Sequence, residues 1–105
     1  MDITEIRKLC DNRRIKWTTH VGERIHSRGI SRKDVLSCIS NGEIIEEYPN
    51  DYPFPSCLIY GANQKNEIIH VVLGCDGESV FIITAYYPNR EKIIFETDLK
   101  TRKEP

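Results

Sequence analysis

The sequence predicts an α+β domain in which three N-terminal helices pack on a four-stranded antiparallel sheet, followed by a short C-terminal segment. Two observations lead to this fold class. Apolar residues recur at helical spacing over residues 2–41, and after Gly42 four runs rich in β-branched and aromatic residues alternate with turn clusters. The 105 residues suffice for one core, so residues 1–105 are expected to form a single domain.

The first helix is expected over residues 2–14, where the apolar residues fit one helical face. Thr18 or Thr19 offers an N-cap for the second helix, which Gly29 ends by supplying a left-handed position. Ser31 restarts the helix at once, because Ser31 and Asp34 form a capping-box pattern, and the third helix closes near residues 41–42.

The four strands are expected at residues 43–48, 56–62, 67–75 and 79–87. Tight connections join the last three, which predicts an antiparallel meander. The first strand carries Glu46 and Glu47 and is expected at a sheet edge. Residues 89–99 form either a short terminal helix or an irregular return, and residues 101–105 are expected to be a frayed tail.

The composition describes an ordinary soluble protein, with 39% hydrophobic and 30% charged residues. No apolar run reaches the roughly 20 residues that span a membrane, and the N-terminus lacks the apolar run of a signal peptide. We therefore expect no membrane association and a cytoplasmic location.

The net charge of −1 is unevenly distributed. Residues 1–41 carry nine Lys and Arg against five Asp and Glu, or +4, whereas residues 42–78 carry one against seven, or −6. The helical half is therefore modestly basic. Nucleic-acid-binding proteins are usually more basic overall, so the charge of the whole chain counts against an RNA substrate, whereas the basic helical half leaves room for one.

The four cysteines are expected to be reduced thiols among apolar neighbours: Cys10, Cys38, Cys57 and Cys75. They lack the close C-x-x-C spacing of zinc ribbons and fingers, so no structural metal site is predicted. A weaker alternative is a metal held by His20, His70 and Cys75, although these residues have no local chelating spacing.

A candidate chemical site lies on the second helix. His20, Arg24 and Arg28 recur at every fourth residue, so they share roughly one helical face. Val21 and Ile25 occupy the neighbouring face. The helix can therefore bury its apolar side while presenting an imidazole and two guanidinium groups at the edge of the core.

Several motifs follow one another in a fixed order. They are H-x-x-x-R-x-x-x-R-G-I-S-x-x-D-V from His20, N-G-E-I-I-E from Asn41, Y-P-x-D-x-P-x-P-S-C-L from Tyr48, H-V-V at His70 and I-I-T-A-Y-x-P ending at Pro88. In this order the motifs resemble domain-of-unknown-function family 4258 (DUF4258), which is similar to the RelE and BrnT group of toxins from bacterial toxin–antitoxin pairs. The resemblance covers most of the chain, from about residue 16 to 88.

The resemblance implies a compact RelE-like fold and a metal-independent endoribonuclease that needs no cofactor. It also implies a cognate antitoxin as protein partner and RNA as substrate, including mRNA on the ribosome. Such an enzyme uses the 2′-hydroxyl of the RNA as nucleophile. The protein must then supply a base, an acid and cations that stabilise the pentacoordinate phosphate.

His20 is the first candidate for the base or acid, because imidazole titrates near neutral pH and neighbouring cations lower its pKa. Arg24 and Arg28 would hold the scissile phosphate through bidentate contacts. The structural alternatives are a histidine packed beside Trp17 and arginines engaged in salt bridges.

His70 lies in an apolar strand, where it is either catalytic or a neutral core histidine. Thr84 and Tyr86 have the same parity as Ile82 and should point to one face of the sheet. If His70 points there too, a groove between the second helix and the sheet would be lined by His20, His70, Thr84 and Tyr86. Tyr86 would be catalytic and Thr84 would bind RNA, with core packing as the alternative.

Further candidates bind rather than react. Lys16, Arg32 and Lys33 would contact RNA phosphates, although solubility alone also explains surface cations. In the proline-rich connection between the first two strands, three aromatic residues would bind a partner or stack on RNA, or else fold onto the core: Tyr48, Tyr52 and Phe54. The alternative function is therefore a non-catalytic protein-interaction module of the same fold.

Overall fold

The structure is a computed structural model that describes residues 1–88 and 98–102. Its elements are α1 (Ile3–Asp11), β1 (Ile15–Lys16), α2 (Thr19–Ser27), α3 (Arg32–Asn41), β2 (Glu43–Tyr48), β3 (Ser56–Ala62), β4 (Ile68–Cys75) and β5 (Val80–Tyr86). In this part of the chain no helix has the length and apolar character needed to cross a membrane. The terminal helix or return predicted for residues 89–99 lies largely outside the described residues.

The sheet has five strands in the order β1-β5-β4-β3-β2. The strands β2 to β5 form the predicted antiparallel meander, with β2 at the edge, but β1 pairs in parallel with β5. The prediction of a four-stranded antiparallel sheet behind three consecutive helices is therefore wrong. The fold is an α+β domain with a mixed five-stranded sheet, and β1 interrupts the helices after α1.

The first helix ends earlier than predicted because the backbone turns at Arg13, whose φ is +60°. The amide of Arg14 still donates to Leu9 at 2.8 Å, but the carbonyl of Arg14 accepts from the Val80 amide at 2.8 Å. The next two residues pair with β5, so the sheet, rather than the helical pattern, decides their conformation.

Local sequence signals explain how α2 and α3 begin and end. The Thr18 hydroxyl accepts from the Val21 amide, and Gly29 has a φ of +75° directly after the C-cap of α2. Ser31 and Asp34 form the reciprocal hydrogen bonds of a capping box. These predicted boundaries are confirmed.

The helices cover one face of the sheet, which we call the core face. Helix α3 packs on β3 and β4, α2 packs on β5, and α1 packs mainly on α3. The sheet supplies this core from alternating positions on three strands: Cys57, Ile59, Ile69, Val71, Leu73, Val80, Ile82 and Ala85.

Arg7 joins α1 to the end of α3. Its guanidinium donates to the carbonyl of Ile39 at 2.9 Å and to that of Gly42 at 2.7 Å. A cation is favourable at a helix C-terminus, where carbonyl groups lack helical partners. Arg7 therefore completes α3 from a distant part of the chain.

All four cysteines are free thiols, as predicted. Burial raises the pKa of Cys38 and of Cys57 to about 12, and that of Cys10 to about 11. These thiols stay protonated at neutral pH and are poor nucleophiles.

The opposite face of the sheet, which we call the distal face, carries most of the polar groups. Cross-strand pairing aligns one residue from each of β2 to β5 in a row that we call the histidine row: Glu43, Tyr60, His70 and Tyr86. A second row is formed by Glu46, Leu58, Val72 and Thr84.

Candidate functional site

The centre of the histidine row is His70, whose side chain is completely buried on the distal face. Its Nε2 lies 2.8 Å from the carbonyl oxygen of Leu99, and its Nδ1 lies 3.3 Å from the hydroxyl of Tyr86. Because a carbonyl only accepts, Nε2 carries the proton and donates, which leaves Nδ1 to accept from Tyr86. Burial lowers the pKa of His70, so the imidazole is neutral at pH 7.

Aromatic rings flank the imidazole on both sides. The Tyr86 ring centroid lies 5.4 Å from the imidazole in an edge-on orientation, and the Tyr60 centroid lies 6.2 Å away. These contacts fix the ring plane of His70 and the side to which Nδ1 points.

Glu46 lies in the second row and pairs with Arg102. The guanidinium of Arg102 donates to both carboxylate oxygens at 2.9 and 2.7 Å, and the hydroxyl of Tyr48 also donates to the carboxylate. The hydrogen bond from Arg102 is the largest cause that lowers the pKa of Glu46, whereas burial raises the pKa of Tyr48 to about 12. Glu46 is therefore a carboxylate at neutral pH.

Residues 98–102 lie over both rows. The carbonyl of Leu99 accepts from His70, the ammonium of Lys100 lies 3.2 Å from Glu43 and 4.6 Å from the Tyr60 ring centroid, and Arg102 reaches Glu46. The predicted frayed tail, residues 101–105, is thus anchored at least at Arg102. The remaining residues, 103–105, are outside the described part of the chain.

Arg28 is the member of the predicted α2 stripe that reaches the sheet. Its Nη1 donates to the Thr84 hydroxyl at 3.0 Å and to the Ala85 carbonyl at 2.9 Å. The short β1 pairs only with Val80 and Phe81, so Arg28 satisfies a carbonyl that this strand leaves unpaired. It also brings a positive charge beside the distal face.

Replacing Arg28 by methionine is expected to lower the free energy of unfolding by about 1–2 kcal/mol, because two hydrogen bonds from a charged donor are lost. Arg24→Met is the matched control, since Arg24 is exposed on the same helix and should change stability by less than about 0.5 kcal/mol. Urea denaturation followed by circular dichroism measures both. Equal midpoints for the two variants would contradict a structural role for the Arg28 contacts.

The predicted groove between α2 and the sheet is not formed. His20 and Arg24 are exposed on α2, which buries Val21 and Ile25 against the core face, whereas His70 is buried on the distal face. The sheet therefore separates His20 from His70.

A bulge explains part of this difference. Val72 pairs with Thr84 but Leu73 pairs with Ile82, so Ile83 is an extra residue in β5. Thr84 and Tyr86 share a face as predicted, whereas Ile82 points to the core. The expectation that Ile82 lies on the same face of the sheet as Thr84 and Tyr86 is wrong.

The predicted RNA-binding cations lie on β1 and α3. Lys16 lies over the Phe81 ring at 5.3 Å, Arg32 lies over the Trp17 ring at 5.1 Å, and Lys33 is exposed on α3. Lys16 and Arg32 are thus placed over aromatic rings, and their role in RNA binding stays a prediction.

The three aromatic residues predicted to bind a partner lie in different surroundings. Tyr52 is 95% exposed, and Phe54 is 38% exposed and stacks on Phe81 with centroids 5.4 Å apart. Tyr48 instead lies half-buried against Glu46. Among the described residues, Tyr52, Phe54 and the partly exposed Phe81 are the aromatic residues at this connection or stacked on it, and we call them the exposed aromatic surface.

No group of three or more His, Cys, Asp and Glu side chains within residues 1–88 and 98–102 is arranged to hold a metal ion. His20, His70 and Cys75 do not form such a group.

The sequence patterns did not point to four residues that lie in the histidine row, within residues 98–102 beside it or in contact with them: Glu46, Tyr60, Lys100 and Arg102. Strand periodicity placed Glu46 and Tyr60 in the predicted sheet, but no sequence pattern linked either residue to Lys100 or Arg102.

Fold and site together define a small α+β domain with a polar, histidine-centred row on the sheet face opposite its helices. The chain belongs to the family described as Domain of unknown function (DUF4258), whose model matches residues 17–87. The family predicted from the motifs is thereby confirmed. The match includes α2 and the sheet strands β2 to β5, and residues 98–102 lie beyond it. No curated protein matches the chain, and no solved structure matches it.

Proposed function

We propose that the protein is a metal-independent endoribonuclease and the toxin of a bacterial toxin–antitoxin pair, related to RelE and BrnT toxins and acting on RNA in the cytoplasm. One observation supports this proposal above the others. His70 bonds to Tyr86 while Arg28 bonds to Thr84, so an imidazole and a guanidinium approach neighbouring hydroxyls on the same strand. A cognate antitoxin would be its protein partner.

The neutral His70 is suited to accept a proton. Once the Tyr86 hydroxyl turns toward the scissile phosphate, Nδ1 of His70 is available to the 2′-hydroxyl of the RNA. The 2′ oxygen then bonds to phosphorus, its proton passes to Nδ1, and the bond from phosphorus to the 5′ oxygen breaks. Water protonates the leaving 5′ oxygen, and Arg28 with Tyr86 stabilises the charge on the phosphorane.

The test is cleavage of a defined RNA by purified protein in the presence of a chelator, with detection of 2′,3′-cyclic phosphate ends. His70→Gln is expected to lower the rate by about 10²-fold or more, the usual contribution of a general base. Tyr86→Phe should lower it by about tenfold or more through loss of a donor to the phosphorane. Induced expression should arrest bacterial growth, and His70→Gln should relieve the arrest.

His26→Gln is the matched control, because His26 is exposed on α2 and should leave cleavage unchanged. Absence of both cleavage and growth arrest in the wild type would refute the proposal. Loss of cleavage in His20→Ala or Arg24→Ala, with His70→Gln active, would instead place the chemistry on α2.

A second candidate function, binding of a partner protein without catalysis, is supported by the exposed aromatic surface. Tyr52 is almost fully exposed, and Ile83, on the same strand as Phe81, is 47% exposed. This alternative predicts harmless expression and no RNA cleavage. It also predicts that Tyr52→Ser weakens binding to the cognate partner, whereas the variant should leave an RNase active.

A further inference from the structure

Residues 98–102 lie over His70, and we call them the cover segment. One contact is directed at the imidazole itself, where the Leu99 carbonyl accepts from Nε2 at 2.8 Å. Two further contacts are ion pairs, from Lys100 to Glu43 and from Arg102 to Glu46. The cover segment thus lies across β2, β3 and β4 and contacts the imidazole that the proposed function assigns as proton acceptor.

The ion pairs of the cover segment are at the surface. The side chains of Lys100 and Arg102 are 40% and 48% exposed and that of Glu43 is 58% exposed, whereas that of Glu46 is 19% exposed. The pair of Lys100 and Glu43 is an exposed single contact, a kind that contributes little to stability and is screened by salt. The pair of Arg102 and Glu46 is bidentate and stronger, but solvent still reaches its guanidinium. The cover segment is therefore fastened over a fully buried histidine by contacts that solvent can reach.

The backbone of the cover segment is strained at one position. Leu99 has a φ of +61°, a left-handed conformation that L-residues with a side chain rarely adopt. The hydrogen bonds of Asp98 to the amides of Lys100 and Thr101 hold the turn in this form. Release of the segment would relieve the strain at Leu99.

We infer that the cover segment is a displaceable cover, which single-stranded RNA opens by drawing Lys100 and Arg102 from their carboxylate partners to its phosphates. This inference rests on the proposed nuclease function, because it describes how RNA reaches His70. The charges favour a polyanion, since both cations of the segment face carboxylates with which phosphate competes directly. Opening exposes His70 and leaves the two cations to hold the RNA.

Accessibility of His70 tests the cover without any RNA. Diethyl pyrocarbonate modifies neutral imidazoles, and peptide mass spectrometry separates His70 from the exposed His20 and His26. In the wild type His70 should react more slowly than His26. The double variant Lys100→Ala/Arg102→Ala should raise its rate roughly 2- to 30-fold, the range expected when two ion pairs with solvent-exposed cations are removed.

A second variant removes the partners of the cover segment on the sheet. Glu43→Gln/Glu46→Gln removes the carboxylates but keeps both cations, so it should also raise the modification rate of His70. The matched control is Arg24→Ala/Lys33→Ala, which removes two exposed cations from the helices and should leave the rate unchanged. Tripolyphosphate should raise the rate in the wild type but not in Lys100→Ala/Arg102→Ala. Circular dichroism checks that each variant is folded.

Cleavage of polyuridylate in a chelator completes the test. Glu43→Gln/Glu46→Gln should raise kcat/KM roughly 2- to 30-fold, because the closed state no longer competes with RNA binding. Lys100→Ala/Arg102→Ala should raise KM, since the RNA-binding cations are gone.

The outcomes separate the two proposals. Equal rates of His70 modification in the wild type and both variants would overturn the proposal of a displaceable cover, even if RNA is cleaved. Release of His70 by both variants and by tripolyphosphate, without cleavage of polyuridylate, upholds a displaceable cover and refutes the nuclease. Release together with the expected changes in kcat/KM and KM supports both.

Discussion

Replacing Gly61 by alanine is expected to lower the free energy of unfolding by about 3 kcal/mol or more, the upper range for overpacking a core. A Cβ at this position would lie 2.5 Å from the Cys38 carbonyl oxygen, 2.8 Å from the Cys38 sulfur and 3.0 Å from Gly42 Cα. Two of these neighbours are backbone atoms, which cannot move without displacing the end of α3 from β3. Chemical denaturation followed by tryptophan fluorescence gives the difference directly.

Gly22→Ala provides a control with the opposite sign. A Cβ at Gly22 would meet only the far end of Arg32, at 3.8 Å, and the residue lies within α2. Alanine should therefore stabilise the protein by up to about 1 kcal/mol, as it does in helix interiors. A Gly61→Ala variant as stable as Gly22→Ala would show that α3 does not approach β3 as closely as described.

Signals that act within a few residues explain why the helix boundaries were predictable. The capping box joins Ser31 to Asp34, three residues apart, and Gly29 supplies the left-handed conformation that ends α2. The strand periodicity after Gly42 is similarly local, so the meander of β2 to β5 followed from alternation and short connections. These elements needed no knowledge of distant partners.

Strand β1 could not be predicted in the same way. It contains only Ile15 and Lys16, which is too short for a periodic pattern, and Ile15 pairs with Val80, 65 positions later. The preceding apolar spacing favoured a longer helix instead. The parallel pairing is therefore a tertiary effect that overrides local preference.

The candidate site illustrates a similar limit at the level of side chains. The spacing of His20, Arg24 and Arg28 predicted three groups on one helix face. Of these, Arg28 at the C-cap of α2 extends past the end of β1 and contacts β5. The positions of Lys100 and Arg102 depend on contacts with strands more than 50 residues earlier in the chain. No spacing in the sequence encodes such contacts.

The free energy of unfolding is expected to fall as the pH is lowered from 7 to 5, with His70 as a principal cause. Burial lowers the pKa of His70 in the folded protein, so the unfolded chain binds a proton at this residue more readily. Stability from the neutral imidazole is complete above the unfolded pKa of about 6.5 and is lost as the pH falls below it. Protonation would also remove the acceptor that Nδ1 offers to Tyr86.

His70→Gln should cost about 1–3 kcal/mol at pH 7, because glutamine cannot satisfy both the Leu99 carbonyl and the Tyr86 hydroxyl in the same geometry. The same variant should flatten the pH dependence between 5 and 7, whereas His26→Gln should retain it. Hydrogen bonds lower the pKa of Glu46 and Asp34, so their contributions are lost only below about pH 4.5, outside this window. If His70→Gln keeps the full slope, another group is responsible, and the neutral imidazole that the proposed proton transfer requires loses its support.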